Sequence, residues 1–209
     1  MVAAATIAAE LLPPLGVPRE DHVVVLWDAT WADYQRVLQM RGDKSAPRIT
    51  YNRGVLQIMS PSRTHESIKS SIGRLVEVYC LEAGVEFSSY GSWTIADEEL
   101  GRGVEPDECY VFGDVEHPAR PDLAIEVVWT SGGVDKLRAY AGLGVREVWF
   151  WQRGQITPYV LRDDEYVAAP TSDVLPGIDL VQLAAFIDGR STSVILRAYQ
   201  QALVAARSG

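Results

Sequence analysis

Two carboxylates lie in or beside segments whose composition favours β-strands, Asp107 directly after Pro106 and Glu126 within the apolar run Leu123–Val128. A carboxylate buried in such a run costs several kcal/mol unless a cation or hydrogen-bond donors compensate it. Carboxylates from two neighbouring strands, with a backbone carbonyl and water, form a hard-oxygen set that suits Mg²⁺ and also Mn²⁺. We therefore predict that Asp107 and Glu126 bind a divalent cation.

Lys136 completes the candidate catalytic group. A cation held by the two acids could activate water, polarise a phosphodiester and offset the charge that develops in an in-line hydrolysis. The Lys136 ammonium would orient the nucleophile or stabilise that charge. Structural interpretations stay open: Asp107 could close a turn and Lys136 could be an exposed helix lysine. Glu126 could lie on the polar side of a half-exposed sheet.

Three further residues are secondary candidates for the same site. Asp122 begins the same predicted strand as Glu126 but would lie roughly 13 Å from it, too far for one ion to bridge, so we interpret it as a strand-start or turn-capping residue. Glu66 suits either the favourable charge at a helix N-terminus or metal binding. His65 is interpreted as a structural or helper residue and not as the central base.

Length and composition suit one compact domain of residues 19–209 behind an Ala- and Pro-rich arm of residues 1–18. Scattered histidines and the absence of any CxxC spacing exclude a structural zinc motif and favour reduced thiols in a cytoplasmic protein. The residues concerned are His22, His65, His117, Cys80 and Cys109. The arm has no basic residue and no stretch reaches roughly 20 apolar residues, so we expect neither export nor membrane insertion.

The charge pattern bears on the partner. A net charge of −9 and a pI near 4.8 oppose the electrostatic attraction on which nucleic-acid binding usually depends. Bound divalent cations or a local basic patch can reverse the sign at a site. The acidic balance therefore disfavours nucleic acid as the partner without excluding it.

The hydrophobic pattern predicts an α/β fold that begins with a helix and a hairpin. Asp28 is expected to cap a short helix with Trp31 and Tyr34 on its apolar face, and residues 48–51 and 55–59 are expected to pair around Asn52-Arg53-Gly54. A longer helix is predicted from Ser62 or Thr64 to Gly84. The short first helix and the hairpin should be adjacent.

The rest of the chain predicts strands, a crossover and a C-terminal helix. The strands are expected at 85–95, 108–112, 123–128, 147–151 and 156–161, and the helices at 134–143 and 192–206. Strand, helix, strand over 123–151 is a crossover unit, so with the hairpin it predicts a mixed sheet with helices packed on it.

Aromatic and basic residues after the candidate site are interpreted as structural. Trp149, Trp151 and Tyr159 are expected to pack in the core and not to stack on bases, because no basic run interleaves them. Arg138 and Arg146 could contact phosphate but suit the surface equally, so neither is assigned to the site.

Several segments together are specific enough to indicate a family. They are residues 53–62 with His65 following, Pro106-Asp107, residues 121–127, residues 136–140 and residues 144–149. In these segments the chain resembles the Uma2 family, within the PD-(D/E)xK restriction-endonuclease-like superfamily. By this resemblance Asp107 and Glu126 match the two acids and Lys136 matches the lysine that the family places in the following helix. Val128 occupies the usual lysine position.

The resemblance implies a restriction-endonuclease-like mixed β-sheet flanked by helices, with an N-terminal helix and hairpin. It also implies a Mg²⁺-dependent endonuclease that hydrolyses DNA phosphodiester bonds, with RNA left open as a substrate. A homodimer would suit the cutting of two strands. The alternative is a nuclease-like fold that serves as a binding or assembly module without catalysis, motivated by the acidic charge and by Val128.

Overall fold

The structure is a computed structural model that describes residues 20–129 and 135–208; the predicted arm of residues 1–18 lies outside the described residues. The strands are β1 His22–Leu26, β2 Arg48–Asn52, β3 Val55–Ser60, β4 Phe87–Ser89, β5 Ile95–Asp97, β6 Arg102–Val104, β7 Glu108–Phe112, β8 Leu123–Val127, β9 Glu147–Gln152, β10 Gln155–Arg162 and β11 Glu165–Ala168. The helices are α1 Trp31–Arg41, α2 Arg63–Ala83, α3 Lys136–Leu143, α4 Leu180–Ala185 and α5 Thr192–Ser208. This mixture of helices and strands confirms the α/β class.

The described strands form two sheets. One is antiparallel with the order β1-β3-β2-β6-β5, and the other has the order β11-β10-β9-β8-β7-β4. The second sheet is mixed because β8 and β9 run parallel, joined through α3 as the predicted crossover, whereas β7 and β8 run antiparallel. The predicted hairpin of β2 and β3 forms as expected but lies in the antiparallel sheet, apart from the crossover.

The first helix packs on the hairpin as predicted, but its cap differs. Thr30, not Asp28, is the N-cap of α1, because Thr30 and Asp33 form a reciprocal capping box in which the Asp33 carboxylate accepts from the Thr30 N–H at 2.9 Å. Asp28 instead adopts a φ of 56°, outside the helix. Tyr34 of α1 is buried against Tyr51 of β2, with ring centroids 5.6 Å apart.

The long helix α2 begins and ends where the sequence predicts. The Ser62 side chain accepts from the His65 N–H at 3.1 Å, and Gly84 ends the helix in the left-handed conformation with a φ of 68°. His65 therefore lies in the first turn of α2. This geometry matters below because His65 is fully buried.

The predicted strand over residues 85–95 is wrong. It is two short strands in different sheets: β4 pairs with β7, whereas β5 pairs with β6. Between them Gly91 has a φ of 56°, a conformation that breaks an extended run. The segment does have a β-like composition, but the chain passes from the mixed sheet to the antiparallel sheet within it.

Four elements were not predicted: β1, β6, β11 and α4. Each is short, and β6 has a glycine at its centre, which weakens a strand signal. The three strands pair with longer neighbours, such as β1 with residues 56–60 of β3.

The main core lies between α2, α4, α5 and the mixed sheet. Trp149 and Trp151 belong to it, which confirms their predicted packing role, while Tyr159 is half-buried beside Phe150. Cys80 and Cys109 are buried free thiols, and burial raises the pKa of each to about 12. No helix within the described ranges is long and apolar enough to cross a membrane.

Candidate functional site

Asp107 lies just before β7, beside the end of β8 that carries Glu126. In the antiparallel pair of β7 and β8, the last paired residues at this end are Glu108 and Ile125. Two hydrogen bonds of Asp107 then flank Glu126: the Asp107 N–H donates to the Ile125 carbonyl at 3.2 Å, and Asp107 Oδ2 accepts from the Val127 N–H at 2.9 Å. The two predicted ligands are therefore neighbours.

Glu126 is held by two donors from α3. Lys136 Nζ lies 2.6 Å from Glu126 Oε2, and the Tyr140 hydroxyl donates to Glu126 Oε1 at 2.6 Å. Lys136 and Tyr140 are four residues apart, so they lie on one face of the helix. The Glu126 side chain is 1% exposed and that of Lys136 is 14% exposed. The structure thus places the displaced lysine of the sequence prediction directly on Glu126.

Asp107 is held from the other side by α2. His65 Nε2 lies 2.9 Å from Asp107 Oδ2, which is an ion-pair distance. The two groups are not aligned for a hydrogen bond. The other ring nitrogen, His65 Nδ1, lies 2.7 Å from Asp21 Oδ2. His65 therefore bridges two carboxylates.

A partly exposed polar group adjoins this buried centre. Arg48 Nε lies 3.6 Å from Asp107 Oδ1, and Arg48 also reaches Glu66 at 3.7 Å. Lys69 lies between Glu66 and Glu108, at 3.3 and 3.4 Å. Glu66 is thus connected to the site through Arg48 and does not contact Asp107 or Glu126 in any of these interactions.

Asp122 lies at the opposite end of β8 from Glu126. Its carboxylate accepts from the Phe112 N–H at 3.0 Å and pairs with Arg146 at 3.3 Å. Both contacts stabilise the start of the strand, as the capping interpretation requires. Arg138 is an exposed partner of Asp135 at 3.2 Å.

The buried charges shift one another's ionisation. Burial alone would raise the pKa of Asp107, but His65, Lys136 and the Val127 N–H outweigh it and lower that pKa. Burial raises the pKa of Glu126, which the Asp107 charge also raises and Lys136 and Tyr140 oppose. Burial would lower the pKa of Lys136, yet Glu126 and Asp107 together raise it. Lys136 is therefore an ammonium at neutral pH.

The two acids suit a divalent cation. Asp107 Oδ1 is buried and accepts no hydrogen bond from the described residues, which leaves one carboxylate oxygen uncommitted. Mg²⁺ uses one or two protein carboxylates and takes its other ligands from water and substrate phosphate. Among residues 20–129 and 135–208 no group of three or more His, Cys, Asp and Glu has metal-binding geometry. An ion at Asp107 and Glu126 would thus draw most of its ligands from outside the chain.

Two comparisons with known proteins show what this chain is similar to. The model of the Uma2 family, described as "Putative restriction endonuclease", matches residues 31–194. The chain belongs to the Uma2 family. The chain is also similar to the crystal structure of a "putative nuclease belonging to DUF820" from Anabaena variabilis ATCC 29413, with 14% identity and a TM-score of 0.45, over 78% of this chain and 96% of that chain. No curated protein matches it.

Three residues around the acids of this Uma2 chain were not predicted from the sequence to belong to the site. Tyr140 carried a usable signal, because a residue four positions after Lys136 shares its helix face. Arg48 and Asp21 carried none, since each reaches the site only through the fold. Asp21 also lies before residue 31, outside the part that matches the Uma2 model.

Tyr140→Phe is expected to lower the free energy of unfolding by about 1.5–3 kcal/mol, the usual range for a hydrogen bond to a charged group. The reason is that Glu126 would keep only Lys136 as its donor. Urea denaturation measures the loss. Tyr166→Phe is the matched control, because Tyr166 donates to the neutral Val145 carbonyl and should cost only about 0.5–1.5 kcal/mol. Equal losses would contradict a charged Glu126.

His65 should make stability depend on pH. Burial opposes its charge, but the contacts with Asp107 and Asp21 raise its pKa from 6.5 to about 9. Because the folded-state pKa is the higher one, this contribution is complete below about pH 6.5 and is lost as the pH rises through about 9. The difference amounts to about 3 kcal/mol.

Denaturation of the metal-free protein at pH 6 and at pH 9.5 measures this contribution. His65→Gln should be less stable than the wild type mainly at the lower pH. His22→Gln, which alters an exposed histidine of β1, is the control and should leave the profile unchanged. A His65→Gln penalty of the same size at both pH values would contradict the charged form.

Proposed function

We propose that this Uma2 chain is a Mg²⁺-dependent endonuclease that hydrolyses DNA phosphodiester bonds, with Mn²⁺ as an alternative ion. The observation that carries the proposal is the buried pair of Asp107, just before β7, and Glu126 in β8, with Lys136 Nζ 2.6 Å from Glu126. The description of the family supports a nuclease.

The ion and the side chains of the site would have different roles. Asp107 and Glu126 would hold the ion, which when bound polarises the scissile phosphate and makes water a better nucleophile. The raised pKa of Lys136 keeps it protonated, so Lys136 supplies positive charge and a hydrogen-bond donor and does not accept the proton of the attacking water. Tyr140 and Lys136 together fix the orientation of Glu126.

Metal binding should become stronger as the pH rises. Glu126 must lose its proton to ligate an ion, and burial holds its pKa above the ordinary value. A Mg²⁺ titration by calorimetry at pH 6 and pH 8 should give the tighter dissociation constant at pH 8. The same affinity at both values would contradict Glu126 as a ligand.

The experiment that tests the function is a cleavage assay on the full chain freed of metal with EDTA. Labelled single-stranded DNA, double-stranded DNA, branched DNA and RNA are incubated with Mg²⁺, with Mn²⁺ and with EDTA. We expect metal-dependent cleavage of DNA that Asp107→Asn abolishes. Cleavage in EDTA, or cleavage of RNA alone, would contradict the proposal.

One observation favours the alternative of a binding or assembly module without catalysis. The two acids already face three cationic side chains, Arg48, His65 and Lys136, so their charge is compensated without a metal ion. A chain that neither takes up Mg²⁺ or Mn²⁺ nor cleaves any of these substrates would establish this alternative.

For the cutting of both strands of a duplex we propose a homodimer. Support comes from β1, which is the outer strand of its sheet and exposes Val23 and Val24, an apolar edge without the lysine or proline that usually prevents edge pairing. Light scattering should give twice the mass of one chain, and Val24→Lys should return the mass to that of the monomer. A monomeric wild type would contradict the dimer.

A further inference from the structure

A line of three side chains runs from β1 into the centre of the site. Asp21 immediately precedes β1, and its Oδ2 lies 2.7 Å from His65 Nδ1. On the far side of the ring His65 Nε2 lies 2.9 Å from Asp107 Oδ2. His65 and Asp107 are fully buried, and Asp21 is 11% exposed. The proposed mechanism uses Asp107 but assigns no role to the other two.

The two oxygens of Asp107 differ in what they contact. Oδ2 accepts a hydrogen bond from the Val127 N–H at 2.9 Å and lies at an ion-pair distance of 2.9 Å from His65 Nε2. Oδ1 is buried and accepts no hydrogen bond from the described residues, and Arg48 Nε lies 3.6 Å from it. When one oxygen of a carboxylate is held, the group no longer rotates freely. Its other oxygen is then already oriented for a ligand before the ligand binds.

We infer that Asp21 is a positioning residue that acts through His65 to hold Asp107 with Oδ1 free for a divalent cation. The inference rests on the proposed function for the presence of that cation. Mutation of the outer-shell partners of a metal ligand typically costs 10–100-fold in metal affinity. His65 would be such a partner of Asp107, and Asp21 in turn holds His65. Because Asp21 precedes residue 31, this contribution comes from outside the part of the chain that matches the family.

Asp21 also has a plain structural role that must be separated from this one. Its Oδ1 accepts from the Ser62 N–H at 2.7 Å, which ties β1 to the N-cap of α2. If this tie alone mattered, removal of the Asp21 charge would loosen the helix end independently of the His65 ring. If Asp21 acts through His65, its effect on the metal must vanish when the ring is absent.

The test is a double-mutant cycle on the Mn²⁺ affinity of the full chain, measured by electron paramagnetic resonance of free Mn²⁺ after EDTA treatment. Asp21→Asn and His65→Gln should each weaken Mn²⁺ binding by about 10–100-fold. The double variant should bind Mn²⁺ no more weakly than whichever single variant binds Mn²⁺ more weakly. Asp21→Glu, which keeps the charge, should recover part of the affinity.

Ser62→Ala is the matched control, because it removes the side-chain cap of α2 but leaves Asp21 and His65 in place. It should lower the melting temperature without changing Mn²⁺ affinity. A weakening by Ser62→Ala as large as that by Asp21→Asn, or additive effects of Asp21→Asn and His65→Gln, would overturn the inference in favour of a loosened end of α2.

The outcomes separate this inference from the function. Wild type that binds Mn²⁺ and cleaves, with Asp21→Asn and His65→Gln binding as tightly, overturns the inference and leaves the function standing. Wild type that binds Mn²⁺ without cleaving any substrate, with the expected coupling, overturns the function alone. Wild type that binds no Mn²⁺ overturns both.

Discussion

Glu126→Gln is expected to lower metal-dependent cleavage on the order of 10²–10³-fold while the protein stays folded. The amide removes the negative charge that an ion requires but keeps the size of the side chain. Its oxygen can still accept a hydrogen bond from Tyr140 or Lys136, the two donors that hold Glu126. The loss should therefore appear in the chemistry and in metal affinity before it appears in stability.

Single-turnover cleavage at several Mg²⁺ concentrations and a thermal melt of the same sample measure the two effects. Asp122→Asn is the matched control, because it makes the same chemical change at the other end of β8, where the carboxylate contacts Phe112 and Arg146. We expect Asp122→Asn to cleave as the wild type does. Loss of cleavage in both variants to the same extent would refute the assignment of Glu126.

Lys136→Met is expected to lower the free energy of unfolding by about 3–5 kcal/mol at pH 8, the range for breaking one side of a buried ion pair. Glu126 would remain 1% exposed without its nearest cation. Protonation of Glu126 relieves that penalty, and its pKa is already raised by burial, so the loss should be smaller at pH 5.5 than at pH 8. Cleavage should fall as well, because the ammonium is removed.

Urea denaturation of Lys136→Met, Glu126→Gln and the double variant measures the coupling of the pair. The double variant should be more stable than Lys136→Met, because the buried charge is gone. Arg162→Met is the control: Arg162 and its partner Asp173 are 56% and 40% exposed, so its loss should cost no more than about 1 kcal/mol. An equal loss for Arg162→Met and Lys136→Met would refute the special environment of Glu126.

Long, strongly patterned elements were predictable, whereas short strands and the assignment of strands to sheets were not. The helix α2 has both a capping serine and an apolar stripe, two local signals that agree. The segment of residues 85–95 has only a β-like composition, which is the same for one strand or for two strands in different sheets. The choice between them depends on partners far along the chain.

Some residues of the candidate site could likewise be selected from the sequence, and others could not. Glu126 could be selected because it stands in an apolar run, and Asp107 and Lys136 because they match motifs of the family that the sequence resembles. Arg48 and Asp21 could not, because each lies in a segment with no unusual feature and reaches Asp107 or His65 only when α2 and the strands are assembled.

The sequence by itself determined the α/β class, the main helices and the hairpin, and its resemblance to a family selected Asp107, Glu126 and Lys136 as candidates. The class, the helices and the hairpin depend on residue type and local spacing. Only the tertiary structure decided that Asp107 lies beside Glu126, that Tyr140 and Lys136 converge on one carboxylate, and that Asp21 reaches His65. These contacts depend on strand register and on packing between distant segments, for which a single sequence contains no local signal.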